Sequence, residues 1–170
     1  MRRRALLLLP ALAACAYGPP GGLAAVPWDA GRFMGTWFEI ARLDNPDERG
    51  LEQVSIAFAP APDGTIGVLQ RGLRSSTGHW IERAGQAWPL RDPGTASLAL
   101  RFTGGPQQGR HVIRLAENYS IALVAGADRD ALWLLARAPT LPPRTVADWL
   151  GFARAQGFDV AAMVRNPLNA

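Results

Sequence analysis

The chain has no lysine, one cysteine and two histidines among its 170 residues, and its 18 basic side chains are all arginine. A lone thiol, Cys15, excludes an intrachain disulfide, so the fold has to stand on its core. His79 and His111 lack metal-ligand spacing, and neither Gly-x-Ser-x-Gly nor His-Glu-x-x-His occurs. Serine-hydrolase and zinc-protease chemistry therefore have no motif here, and no cofactor is expected. No apolar run approaches the roughly 20 residues that a membrane-spanning helix needs. The longest runs only from Ala5 to Ala14 and is interrupted by Pro10. Basic residues do not cluster beyond Arg4, which argues against nucleic acid as a partner.

The N-terminus carries the most specific local signal. Arg2, Arg3 and Arg4 precede the apolar run, and Leu12-Ala13-Ala14-Cys15 reads as a lipobox, the small-residue cleavage site whose cysteine becomes the lipidated first residue. Residues 1–14 are then a lipoprotein signal peptide and Cys15 a lipid anchor, which leaves the mature chain without a thiol and without thiol catalysis. Ala16, where an aspartate would signal inner-membrane retention, points to the outer membrane, facing the periplasm. Residues 15–30, rich in glycine, proline and alanine, read as a lipidated tether. Removing the three leading arginines leaves 15 basic against 14 acidic residues, a net charge of about +1 that replaces the impression given by the basic pI of the full chain.

Residues 31–170 form one domain with one core. Eight strand signals follow one another, at 36–43, 52–60, 65–73, 79–90, 95–103, 110–117, 119–126 and 131–138, with turn-prone stretches such as Pro62-Asp63-Gly64 and Asp92-Pro93-Gly94 between them. No helix intervenes, which excludes a parallel α/β sheet and leaves an antiparallel sandwich or up-and-down barrel. Along the strands, side chains alternate between two faces. Val54, Ile56 and Phe58 share one face, as do Ile66, Val68 and Gln70, then Leu98, Leu100 and Phe102, then His111, Ile113 and Leu115. After the last strand, Val146, Trp149, Leu150 and Ala153 fall at helical spacing behind Pro142-Pro143, with Gly157 as a stop. This amphipathic helix is expected to pack against the outside.

At Gly35-Thr36-Trp37 within Phe33–Arg42 the chain resembles the opening Gly-x-Trp motif of the lipocalins, in the form of the bacterial and apolipoprotein D-like branch. The resemblance continues in order through Glu48–Val54, Ala122-Leu123-Val124, Asp128–Trp133 with Arg137, and Gly157-Phe158-Asp159, and covers most of residues 31–160. It implies an eight-stranded antiparallel β-barrel with a C-terminal α-helix outside, in which Trp37 plugs the closed end and Arg137 lies across its ring. Gly35, Trp37 and Arg137 are then structural. It also implies binding of a hydrophobic or amphiphilic small molecule of the fatty acid or lysophospholipid class inside the barrel. A chain of roughly 14 to 16 carbons offers about 12 kcal/mol on burial before ordering costs.

Strand parity proposes the lining: Phe58, Val68, Leu100, Phe102 and Trp133 as apolar wall, with Gln70, Arg83 and His111 as inward polar groups and Glu39 lower down near Trp37. An inward arginine has to find an anion or reach water. Two other readings stay open at this point. One is a structural envelope lipoprotein whose barrel is filled by its own side chains, and the other, with less support, is an enzyme on the same fold. Asp128 and Asp130 are explained by a hairpin turn. Whether the chain pairs as a homodimer is left open by the sequence.

Overall fold

The computed structural model describes residues 17–167, so the signal peptide expected over residues 1–14 and Cys15 lie outside the described residues. A short helix, α1 (Ala30–Phe33), is capped by the Asp29 carboxylate and leads into β1 (Gly35–Leu43). There follow β2 (Leu51–Pro60), β3 (Ile66–Arg74), β4 (His79–Pro89), β5 (Ser97–Phe102), β6 (Gln107–Leu115), β7 (Ile121–Ala125) and β8 (Leu132–Ala136). Each pairs antiparallel with its predecessor, and β8 returns to pair with β1, Phe38 opposite Ala136 and Arg42 opposite Trp133. The sheet is thereby closed into a barrel with no free edge among these eight strands.

The expected strands lie within a few residues of the observed ones. One strand is additional: β9 (Met163–Arg165) adds to the upper half of β1 at Ala41–Leu43, where β2 has already diverged. It is too short to carry an alternation. The helix α2 (Pro143–Ala155) lies outside the barrel as expected, with proline in its first turn. Gly157 adopts φ +88° just beyond it, a conformation open to glycine, and the turn lets Phe158 donate back to the Ala153 carbonyl.

Two cores result. One fills the barrel, from Trp37 and Phe33 at the bottom to Leu100 and Trp133 above. The other lies between the barrel wall and α2, where Val146, Trp149, Leu150 and Ala153 meet Ile113, Leu123 and Leu134. Covered on both faces, β7 and β8 are buried at every position, which is why Ile121–Ala125 and Leu132–Ala136 read as unbroken apolar runs. The described part of the N-terminal segment lies along the outside of β5 and β6. The Val26 N–H donates to the Val112 carbonyl, and the segment runs from the level of Gly109 at Tyr17 to the level of Gly94 at Trp28.

Candidate functional site

The barrel has two unlike ends. At the bottom Trp37 is fully buried and stacks on Phe33 with ring centroids 4.6 Å apart, and its Nε1–H donates to the Phe33 carbonyl at 2.9 Å. The Arg137 guanidinium lies 3.9 Å from the centroid of the Trp37 ring. It donates to the carbonyls of Thr36, Arg32, Phe33 and Met34 at 2.8 to 3.0 Å, and its Nε reaches the Tyr119 carbonyl at 3.3 Å. Gly35 has φ +98°, and a Cβ there would come within 3.2 Å of that guanidinium. One arginine thus gathers the carbonyls of α1 and the start of β1, and the end is closed.

Above this plug the wall is apolar, with Ile56, Phe58, Leu100, Phe102 and Val124 facing the axis. Polar groups gather toward the top, and Glu39 is the deepest of them, two positions along β1 from Trp37. Arg42, buried on β1, pairs with Glu39 and donates through Nη2 to the carbonyls of Glu48 and Leu51. Glu48, 4% exposed, sits in the loop between β1 and β2 and turns inward. Its carboxylate accepts from Trp133 Nε1 at 2.8 Å, from Gln70 Nε2 and from Asn45 Nδ2, and Arg42 Nε stands 4.0 Å away. Burial, reinforced by the charge of Glu48, pushes the Glu39 carboxyl up to about 8 against the pull of Arg42.

Arg110 projects inward from β6 with its guanidinium 4.0 Å from the Trp133 ring centroid. Its hydrogen bonds go to neutral acceptors, the Gly109 carbonyl and Gln108 Oε1. Desolvation pulls its pKa down to about 10, with Glu48 and Asp47 opposing from a distance. The cavity holds about 590 Å³ between atoms, its mouth included, but it is narrow. The space in which a water-sized sphere can move amounts to about 40 Å³. Arg110 and Trp133 also line a wider groove outside, beside Tyr17, Asp47 and Gln108, so these two residues stand at the passage between interior and surface.

Of the residues placed in the lining by parity, Phe58, Gln70, Leu100, Phe102 and Trp133 do face the cavity. Val68 is buried in the same core without contributing to the cavity wall. Arg83 stacks over Phe102 at 4.3 Å at the rim, its side chain 25% exposed, and reaches Asp47 and Gln70. His111 has to be corrected: it faces outward. Its Nδ1 bonds Ser97 Oγ at 2.8 Å beneath the N-terminal segment, and burial lowers its pKa. The inward residues of β6 are Arg110 and Val112. A register shift between Val112 and Arg114 then puts Ile113 under α2 and turns Leu115 back to the interior, so the three do not share a face.

Glu48 and Arg110 line the cavity although the lining proposed from strand parity does not include them, and Arg42 stands behind the wall, bonded to Glu39 and beside Glu48. Parity from Val112 would have found Arg110, but Glu48 lies on a loop, where parity has nothing to say. Among the described residues no group of three or more histidine, cysteine, aspartate or glutamate side chains is placed to hold a metal ion.

A closed eight-stranded antiparallel barrel, plugged at one end by tryptophan and arginine and polar at the other, defines a class of small-molecule-binding scaffold. Residues 28–168 match the model of the lipocalin-like domain, and the chain belongs to that family. It is 40% identical over 147 residues to the outer membrane lipoprotein Blc of Escherichia coli K12, covering 86% of this chain and 83% of that one. It is 29% identical to bovine apolipoprotein D over 83% of this chain and 82% of the other. Among solved structures, the cockroach allergen Per a 4 superposes with a TM-score of 0.68 over 88% of this chain and 94% of its own, at 15% identity, a likeness of fold. The outer membrane, where the bacterial relative is named, is the location of this chain too.

Proposed function

We propose that the barrel holds a fatty acid or lysophospholipid at the outer membrane, that Cys15 carries the lipid anchor, and that the chain catalyses no reaction. The observation that carries this reading is the polarity of the interior. An apolar lower wall ends in a cluster of Arg42, Glu48, Gln70 and Arg110 toward the mouth, with Glu39 below Arg42, the order in which an amphiphile presents its tail and head. Titrating delipidated protein with a fluorescent fatty acid tests it. Saturable binding is expected, with a change in Trp133 emission. Leu100→Trp, which fills the middle of the wall, should weaken binding by about tenfold, or 1.4 kcal/mol. The narrowness of the cavity favours the rival reading, a barrel filled by its own side chains, and absence of saturable binding to the wild type would establish that rival instead.

A further inference from the structure

A tail of 14 or more carbons does not fit the interior as it stands, so something has to move. Nearly every side chain lining the cavity is carried by a strand held on both sides by the ladder. The exceptions are Phe33, locked in the closed end, and Glu48, on the loop that folds across the mouth. That loop is fastened at its rim by Asp47, which accepts from Gln108 Nε2 at 2.8 Å and lies 3.6 Å from Arg83. Glu48 itself reaches down to donors on the wall: Trp133 on β8 serves one carboxylate oxygen and Gln70 on β3 the other, with Arg42 on β1 beside them.

The wall thus offers one N–H to each oxygen of a carboxylate, and a carboxylate on a loop is using them. Nearby, Arg110 has no acidic group within ion-pairing distance among the described residues. We propose that the Glu48 carboxylate is a tethered stand-in for the ligand's head, and that a free fatty acid enters by displacing Glu48 and handing its own carboxylate to Gln70, Trp133 and Arg42. This rests on the reading of the barrel as an amphiphile carrier, and narrows its ligand to the carboxylate-headed class. Exchanging one carboxylate for another leaves the charge at the mouth unchanged, so the exchange costs little in electrostatics. A neutral head cannot replace Glu48 on these terms, because it would take one of two carboxylates away from Arg42, leaving Glu39, and would bring no anion to Arg110.

The test compares cis-parinaric acid with its methyl ester. If wild type binds neither, the carrier reading itself fails. If wild type binds the acid, Glu48→Gln weakens the internal competitor and should tighten the acid by about tenfold while changing the ester less than about twofold. Equal tightening of both would make Glu48 a steric plug, and weakening or no change for the acid would make it a structural residue. Either result overturns the proposal. Hydrogen exchange on the wild type needs no folded variant. Saturating acid should speed exchange of the amides of residues 44, 45 and 47–51, including Leu51, whose N–H is held by the Glu48 carbonyl at 2.9 Å. Unchanged or stronger protection of that loop in the acid complex would also overturn it.

Discussion

Two arginines lie 3.9 and 4.0 Å over tryptophan rings in this barrel, and their surroundings separate their roles. Arg137 is saturated by main-chain carbonyls at the closed end, whereas Arg110, at the mouth, meets only two neutral acceptors. Removing Arg137 would leave several carbonyls of residues 32–36 without their donor. Arg137→Met is therefore expected to lower the unfolding free energy by about 3 kcal/mol, measured by urea denaturation, since hydrogen bonds from a charged donor are worth about 1.5 to 3 kcal/mol each before the site relaxes. A double-mutant cycle with Trp37→Phe should give a coupling of about 0.5 to 2 kcal/mol. Additive losses would separate the ring contact from the carbonyl network.

The elements differ in how they use their two faces. The outward face of β6 is covered twice, by the N-terminal segment over His111 and by α2 over Ile113, with Arg114 packed over Trp149 and joined to Asp148 at 2.9 Å. Close approach is what the segment requires: a Cβ on Gly109 would fall 2.5 Å from the Tyr17 carbonyl oxygen. Burial holds the His111 pKa below its unfolded value of about 6.5. The unfolded chain therefore binds the proton first, and stability present above that value is lost as pH falls through the interval below it. Wild type should lose stability between pH 7 and 5 more steeply than His111→Gln, by at most about 1.4 kcal/mol per pH unit, the limit for one proton. Parallel curves would mean that His111 titrates alike in both states.

Much of this level was readable from alternation and turn residues. The strands, the helix and the apolar wall at Phe58, Leu100 and Phe102 follow from period two and the 3.6-residue repeat. What alternation could not supply depends on contacts distant in sequence. The shift inside β6 breaks the parity that placed His111 inward. Glu48 becomes an interior residue only because its loop folds across the mouth onto Gln70 and Trp133, the latter 85 positions away. β9 exists because β1 outlasts its pairing with β2.

At the scale of the whole molecule, the described residues begin beside the open end of the barrel. Tyr17, where the described residues begin, lines the groove outside the mouth, and in the proposal Cys15, two positions earlier in the sequence, carries the anchor. Cys15→Ser is expected to move the protein from the outer-membrane fraction to the soluble periplasm or leave it unprocessed. Unchanged fractionation with the membrane would remove the anchor from the proposal. The closed end carries a consequence in time. The contacts that seal it join residues 32–36 to Arg137, more than 100 positions apart, and β1 finds β8 only when nearly the whole domain is available. Long loops have to close before these contacts give anything back, so the join of β1 to β8 is expected to form late in folding, after the pairs of neighbouring strands. The join that closes the finished barrel is the one an incomplete chain cannot make.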